Sequence, residues 1–326
     1  MRNFLITSFL CSNFFLSPQS TITKDSIANV FLKATYGVDI ETDLIYGFGL
    51  GHDSFEMTNP RKIPLKLDVY TPKNDFKNRP ILVLIHGGGF KNGSKSKPPF
   101  IKLSNFFSSR GWVVFNINYR LTKDYGKIPG EWNDFVDANS PPDKRNQHKA
   151  VYPAIRDAKA AVRWIVANKN KLGVNPNYIT IGGGSAGAVS AIAVGISEND
   201  DYKSELSIKD DNTLLTTNLN TSFEVKTILD FWGSKSAIDA INILYKKELF
   251  NKNNPAIFIA HGTDDDVVPF NRALELEGVY KKTGAPYIMY SLDKKGHGPW
   301  EYTEKGLGLG DLALRFIVKK QALEVY

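Results

Sequence analysis

The chain has little of several residue types, and each shortage excludes a class of protein. Cys11 is its only cysteine, so the chain cannot form an internal disulfide, and without the N-terminal segment it would have no thiol to bind a metal or act as a nucleophile. Lys and Arg number 41 against 34 Asp and Glu, a formal net charge of +7. The basic residues are scattered and form no dense stripe with interleaved aromatic residues, which argues against a nucleic-acid partner.

Long hydrophobic runs are also missing, and no stretch reaches the length of a transmembrane helix. The longest apolar run, from Phe4 to Leu16, follows a single arginine and precedes small polar residues. This pattern predicts a secretory signal peptide over residues 1–20, with a docked N-terminal helix as the alternative. We therefore expect a secreted or periplasmic protein that keeps no membrane segment and no cysteine once the signal is removed.

The rest of the chain predicts one domain, residues 21–326, with an α/β fold. Apolar segments rich in β-branched residues alternate with helical patterns, and the runs at residues 81–85, 112–117 and 256–260 are nearly continuous. Continuous apolar runs are typical of strands that are buried on both faces of a parallel sheet. We expect a mostly parallel central sheet flanked by helices, with helices over residues 100–109, 151–168, 186–197 and 271–283.

Two segments interrupt this alternation without separating domains, because strand-like segments resume after each. Residues 122–149 contain several aromatic residues and a Pro-Pro pair, and they either line a site or pack on the core. Residues 198–222 are polar and rich in Asp, Asn, Ser and Thr, which predicts a surface loop. No internal repeat is present.

The stretch ITIGGGSAGAVSAIA has two incompatible interpretations. Gly182, Gly184 and Gly187 spell G-x-G-x-x-G, a weak signal of a dinucleotide loop, whereas Gly183, Ser185 and Gly187 spell G-x-S-x-G, a nucleophile turn. A dinucleotide loop ends the first strand of its fold and needs an acid at the end of the next strand. Strands precede this stretch, and no strand precedes the acids downstream of it. We therefore expect a nucleophilic serine, and neither a cofactor nor a metal.

A serine nucleophile needs a histidine that follows it in the chain, and only His261 and His297 do so. His261 ends a buried strand, which predicts a structural histidine bonded to backbone. His297 lies in the glycine-flanked loop KKGHGPW after the last predicted strand. We predict that His297 is the catalytic base for Ser185.

The acid of the site is expected on the loop HGTDDDVVPF, which follows the strand AIFIA. Asp264 can fold into the turn, and Asp266 can cap the helix that Pro269 helps to start, which leaves Asp265 as the middle candidate. Asp230, at the end of the preceding strand, is the alternative outside this loop. Spacing alone does not choose among these aspartates.

A fourth motif, HGGGF at residues 86–90, directly follows the strand ILVLI. Three consecutive glycines leave bare backbone where a substrate carbonyl can approach, which favours an oxyanion-binding loop over an ordinary turn.

Together these motifs resemble those of the α/β-hydrolases, specifically the carboxylesterase and lipase group with an H-G-G-G oxyanion motif. HGGGF, GGSAG, HGTDDDVVP and GHG follow the family's order, and the resemblance covers residues 63–300. The family's acid occupies the fifth position of H-G-x-x-D-x-x-V-P, which implies Asp265. Its oxyanion hole implies the N–H groups of Gly88, Gly89 and Ala186.

The resemblance implies an α/β-hydrolase fold and two-step acyl transfer. Gly184 stands where many lipases carry His, Glu or Asp, which resembles carboxylesterases that act on short acyl chains and sugar-bound acyl groups. We expect a small-molecule or polysaccharide-bound ester, with acetyl or feruloyl groups among the acyl groups, and contacts from Phe90 and Trp300. A prolyl-oligopeptidase type of serine peptidase and a non-catalytic binding protein are the alternatives. The sequence predicts no oligomeric state.

Overall fold

The computed structural model describes residues 29–326, so the predicted signal peptide at residues 1–20 and Cys11 lie outside the described residues. Within the described part, no helix is both long and apolar enough to cross a membrane.

An eight-stranded sheet forms the centre of the molecule, with the strand order β1-β2-β4-β3-β5-β6-β7-β8. The pairs β1–β2 and β2–β4 are antiparallel, and every later pair in this order is parallel. The expectation of a mostly parallel sheet is therefore confirmed. The strands are β1 (Val38–Gly51), β2 (Arg61–Pro72), β3 (Arg79–Ile85), β4 (Val113–Ile117), β5 (Val174–Gly184), β6 (Thr227–Phe231), β7 (Ala256–Gly262) and β8 (Tyr287–Leu292).

Helices cover both faces of this sheet, and a two-stranded ribbon precedes the last helix. The helices are α1 (Pro98–Ser108), α2 (Gly130–Asn139), α3 (Arg145–Lys149), α4 (Val151–Ala167), α5 (Lys169–Leu172), α6 (Ala186–Ile196), α7 (Ser236–Tyr245), α8 (Asn271–Thr283) and α9 (Leu309–Gln321), and the ribbon consists of β9 (Thr303–Glu304) and β10 (Leu307–Gly308). The four predicted helices agree with α1, α4, α6 and α8 to within two residues at each end, whereas α7, α9 and β1 were not predicted.

Successive side chains of the central strands point to opposite faces of the sheet, so the core consists of one cluster on each face. In β3, Ile81, Val83 and Ile85 pack into the cluster that includes α4 and α6. Leu82 and Leu84 point to the opposite face and pack into the cluster that includes α1 and α9. All of β3 is buried, and each buried aliphatic side chain contributes about 1.5–3 kcal/mol. This packing fixes the strand ends from which the site loops leave.

The first insertion, residues 122–149, packs on the core. It contains α2 and α3, and Trp132 is buried with its ring 5.5 Å from that of Tyr152 and 5.8 Å from that of Tyr202. The sequence left open whether this aromatic segment lines a site or packs on the core, and Trp132 packs on the core.

The second insertion, residues 198–222, is more than the surface loop that its polar composition predicted. Lys159 of α4 is fully buried and donates from Nζ to the Ser197 hydroxyl at 3.0 Å and to the Asp201 carbonyl at 2.7 Å. Arg156 of the same helix pairs with the buried Asp211 at 3.4 Å. Buried basic side chains of one helix therefore hold this polar segment through its carbonyl and carboxylate groups.

Candidate active site

Ser185 occupies a sharp turn between β5 and α6. Its backbone has φ 57° and ψ −123°, a region that residues other than glycine rarely adopt, and which costs about 1–3 kcal/mol. The Ser185 N–H donates to the Phe231 carbonyl of the neighbouring strand at 2.9 Å. The surrounding sheet and helix therefore hold a strained conformation that lifts the serine side chain above the end of the sheet.

The glycines beside Ser185 make this turn sterically possible. A Cβ atom on Gly187 would lie 2.0 Å from the Ile85 carbonyl oxygen, and one on Gly183 would lie 2.4 Å from the Gly187 carbonyl. Both contacts are far inside van der Waals separation, so only glycine fits. The turn also follows β5, after four earlier strands of the chain, whereas a dinucleotide loop follows the first strand of its fold. The motif G-x-S-x-G thus has a direct steric explanation.

Asp265 and His297 lie together, as the sequence predicted. His297 Nδ1 is 2.8 Å from Asp265 Oδ2, so Nδ1–H donates and Nε2 is left as the proton acceptor. Asp265 Oδ1 accepts the backbone N–H groups of Val267 and Val268, each at 2.9 Å. This buried carboxylate is therefore fixed on both of its oxygens.

His261 is a second histidine beside Asp265, but it belongs to the core. Its side chain is fully buried, and its Nε2 donates to the Val268 carbonyl at 2.7 Å. The same nitrogen lies 3.3 Å from Asp265 Oδ2. Burial lowers the pKa of His261, so a neutral imidazole anchors the loop that carries Asp265. The prediction of a structural histidine bonded to backbone agrees with this position.

The other candidate acids form no hydrogen bond or ion pair with His297, whose Nδ1 bonds only to Asp265 among the described residues. Asp264 and Asp266 are exposed. Asp266 was expected to cap the next helix, but α8 begins at Asn271 and its N-cap residue is Phe270, which provides no side-chain hydrogen bond. Asp230 is fully buried and accepts the Gly233 N–H at 2.7 Å. Burial raises the pKa of Asp230 to about 7.

Ser185 and His297 line one cavity of about 560 Å³, together with Gly88, Gly89 and Trp300. Within residues 29–326 the Ser185 hydroxyl makes no hydrogen bond, so the serine and the imidazole share the cavity without being joined. Catalytic hydrogen bonds are often long in the absence of substrate and tighten in the complex. The cavity thus brings the predicted nucleophile, base and glycine loop together.

Gly88 and Gly89 of the glycine loop line this cavity, and Ala186 directly follows Ser185 at the start of α6. Gly88 and Gly89 have φ angles of 132° and 60°, which favour glycine. In the described part of the chain, the N–H groups of Gly88, Gly89 and Ala186 donate no hydrogen bond. Free donors at a cavity wall are the groups that can stabilise a developing negative charge.

His86 supports the loop from below. Its Nδ1 donates to the Gly87 carbonyl at 2.9 Å, and its ring stacks on Tyr119 with centroids 4.4 Å apart. The Tyr119 hydroxyl in turn donates to the His86 carbonyl at 2.8 Å. Burial lowers the pKa of His86 to about 4, so this histidine is neutral at neutral pH and acts as a fixed hydrogen-bond donor.

The two predicted substrate contacts differ in position. Phe90 is buried, with its ring 6.2 Å from that of Tyr119, so the expectation of a substrate contact is corrected to a core role. The backbone of Phe90 has a φ of 57°, and in this conformation its side chain packs into the hydrophobic core. Trp300 does line the cavity, and its ring occupies the space beside Gly184, where a Cβ atom would lie 2.9 Å from Trp300.

Sequence reasoning missed several lining residues, namely Lys97, Pro98, Pro99, Phe100, Trp232 and Val267. Trp232 directly follows β6, and its place at the carboxyl end of a parallel strand could have identified it. Residues 97–100 begin α1, and the sequence contains no signal that this helix start faces the serine. A second cavity of about 630 Å³ shares Pro98, Pro99, Gly298 and Trp300 with the first.

Among the described residues, no group of three or more His, Cys, Asp or Glu side chains is arranged to hold a metal ion.

Comparison with known proteins gives a family and a fold. The BD-FAE family model matches residues 67–140 and 135–249. Carboxylesterase 1C of Rattus norvegicus is 33% identical over 172 residues, which cover 50% of this chain and 28% of that protein. Esterase LipC of Mycobacterium tuberculosis is 24% identical over 251 residues, which cover 71% of this chain and 56% of that protein. The chain thus spans well under two thirds of these relatives.

Solved structures agree with the architecture. Thermogutta terrifontis esterase 2 phosphoramylated by tabun superposes with a TM-score of 0.58 at 21% identity, covering 87% of this chain and 94% of that chain. A truncated form of a carbohydrate esterase from gut microbiota gives 0.57 at 21% identity, covering 90% and 100%. At this identity the similarity establishes the α/β-hydrolase fold.

Proposed function

The chain belongs to the BD-FAE family, whose model spans residues 67–249, and from this premise we propose that the protein is a serine hydrolase that cleaves carboxylic esters. The proposal depends on one arrangement of side chains and backbone groups around a single cavity. The Asp265–His297 pair, with its 2.8 Å contact, shares a cavity with a serine in a strained turn and with the glycine loop. The names of the relatives, which are esterases, support the same chemistry.

In the proposed reaction, Ser185 is the nucleophile and His297 is the general base. His297 Nε2 takes the Ser185 proton as the serine oxygen attacks the ester carbonyl, and the same proton then passes to the leaving alcohol. Asp265 holds the imidazole tautomer and stabilises its positive charge in the transition state. Water then attacks the acyl enzyme, with His297 again as the base.

The developing oxyanion is assigned to the N–H groups of Gly88, Gly89 and Ala186. Their lack of other partners within the described residues leaves these groups available, and the neutral His86 beneath the loop fixes its backbone. Preorganised donors of this kind stabilise the transition state more than the substrate, because the charge appears only as the carbonyl is attacked.

For the substrate, we propose short-chain esters such as acetyl groups on polysaccharide, with polysaccharide-bound feruloyl groups as the aromatic alternative. The Trp300 ring fills the space beside Gly184 and is packed against Phe231 and Trp232 at centroid distances of 5.1 Å and 4.6 Å. Such a rigid aromatic wall limits the room beside the serine. The carbohydrate esterase among the structural neighbours supports a sugar-linked ester, and the predicted signal peptide supports a substrate outside the cytoplasm.

Replacement of the serine tests the proposal. We expect Ser185→Ala to lower kcat/KM for p-nitrophenyl acetate by about three orders of magnitude or more. Ser190→Ala is the matched control, since Ser190 is a buried α6 residue whose hydroxyl donates only to the Ala186 carbonyl; its kcat/KM should stay near that of the wild type. Retained hydrolysis in Ser185→Ala would contradict the assignment, and cleavage of a proline-containing peptide in place of the ester would point to a peptidase.

A further inference from the structure

The cavity that contains Ser185 and His297 also contains one lysine, Lys97. Among the described residues that line it, none is Asp or Glu. The nearest carboxylate of the site, Asp265, is buried behind His297 and already paired with it. The side chains that surround a bound ester therefore include a cation and no opposing anion.

Lys95 and Lys102, the two lysines nearest to Lys97 in the chain, are paired with carboxylates, and among the described residues Lys97 is not. Lys95 Nζ lies 2.6 Å from Asp68 Oδ1 and 3.2 Å from Asp43 Oδ1. Lys102 Nζ lies 3.2 Å from Glu301 Oε1. Within residues 29–326 the Lys97 ammonium forms neither an ion pair nor a side-chain hydrogen bond. Its charge is thus free to bind a group that enters the cavity.

Helix stability does not account for a lysine at this position. Lys97 is the N-cap residue of α1, and the first turn of that helix contains no acidic residue. A cation at a helix N-terminus opposes the helix dipole, and lysine lacks the side-chain acceptor that a capping residue provides. The residue is therefore unfavourable for the helix and is explained better by what it faces.

We propose that Lys97 binds a carboxylate on the ester substrate, so that the enzyme prefers negatively charged esters. This inference rests on the proposed esterase function and adds a substrate class to it. Lys97 is partly buried, and an ammonium forms a charge-assisted hydrogen bond with a carboxylate that is stronger than a neutral one. The carboxylate belongs to the acyl part or to the alcohol part of the ester, and the probes below distinguish the two.

Matched esters with and without a charge test the proposal. On the acyl side, kcat/KM for p-nitrophenyl hemisuccinate is compared with that for p-nitrophenyl butyrate; on the alcohol side, 4-carboxyphenyl acetate is compared with phenyl acetate. For at least one pair, we expect Lys97→Met to lower the ratio of charged to neutral kcat/KM about tenfold. Lys97→Arg should retain most of the ratio, and Lys97→Glu should lower it further.

Lys102→Met is the control for a general loss of positive charge, because Lys102 lies on the same helix but is exposed and paired with Glu301. Its ratios should match those of the wild type. Equal ratios in the wild type and in Lys97→Met, for both ester pairs, would overturn the role of Lys97 while leaving the esterase intact. If the wild type hydrolyses none of these esters faster than Ser185→Ala does, the proposed function itself fails.

Discussion

Two neighbouring strands each bring an aspartate toward the carboxyl end of the sheet, but only one aspartate is surrounded by hydrogen-bond donors. Asp265, after β7, accepts two backbone N–H groups and contacts His297. Asp230, near the end of β6, accepts one N–H from Gly233, and its Oδ2 has no partner among the described residues. Burial raises the pKa of Asp230 and so favours its protonated form.

The difference lies in the loops and not in the strands. After β7 the chain turns back so that the N–H groups of Val267 and Val268 point at Asp265, and His261 ties the same loop to the core. After β6 the chain passes directly into Trp232, which has φ 48° and lines the cavity. One loop therefore holds a carboxylate against His297, and the other places an aromatic side chain in the cavity wall.

The largest expected effect separates the two aspartates by activity. Asp265→Asn should lower kcat for p-nitrophenyl acetate by about 10³–10⁴-fold, because an amide no longer fixes the His297 tautomer or stabilises the imidazolium. Asp230→Asn, the same substitution one strand away, should lower it less than about tenfold. Equal losses in both variants would remove the distinction between the two loops.

The second effect separates them by the pH dependence of stability. Burial raises the pKa of Asp230 to about 7, from an ordinary value of 3.8. This group therefore contributes stability that is fully present below about pH 4 and is lost as the pH rises through about 7. Between pH 4 and pH 8, the free energy of unfolding of the wild type should fall by on the order of 3–4 kcal/mol relative to that of Asp230→Asn, whose side chain does not titrate at this position.

Urea unfolding of both proteins across this pH range measures that difference. If the free energies of unfolding of the wild type and Asp230→Asn run parallel from pH 4 to pH 8, the carboxyl group does not titrate as its burial requires.

A smaller effect concerns the anchor of the Asp265 loop. His261→Ala removes the donor to the Val268 carbonyl and leaves a buried cavity, so the free energy of unfolding should fall by about 2 kcal/mol. A looser loop should also lower kcat/KM by about tenfold. His261→Gln, which can supply a donor to the same carbonyl, should recover part of both losses. An unchanged denaturation midpoint in His261→Ala would show that the loop does not depend on this histidine.

The smallest effects are expected for the aspartates on either side of Asp265. Asp264 and Asp266 are exposed, and exposed substitutions usually change stability by less than about 0.5 kcal/mol. Asp264→Asn and Asp266→Asn should therefore keep kcat/KM within about twofold of the wild type. A large loss of kcat/KM in either variant would assign the acid of the site to that aspartate and not to Asp265.

Much of this architecture follows from the sequence because the relevant signals are local. The continuous apolar runs predicted the buried parallel strands. The order of the motifs predicted Ser185 and His297, whereas the choice of Asp265 came from the family resemblance and not from spacing. Composition predicted a loop at residues 198–222 but not its buried contacts, since no local pattern reveals that basic side chains of α4 bond to this segment. The expectation for Phe90 failed for a similar reason, because the backbone turn decides which way its ring points.

Covalent labelling of the serine tests the central claim most directly. We expect a fluorophosphonate probe to add one adduct per chain, and mass spectrometry of the digested protein should locate it on Ser185, with no adduct in Ser185→Ala. Labelling should abolish ester hydrolysis in proportion to the adduct formed, because the reagent forms its bond at an activated serine nucleophile. An adduct on another residue, or undiminished hydrolysis by fully labelled protein, would contradict the assignment of Ser185 as the nucleophile.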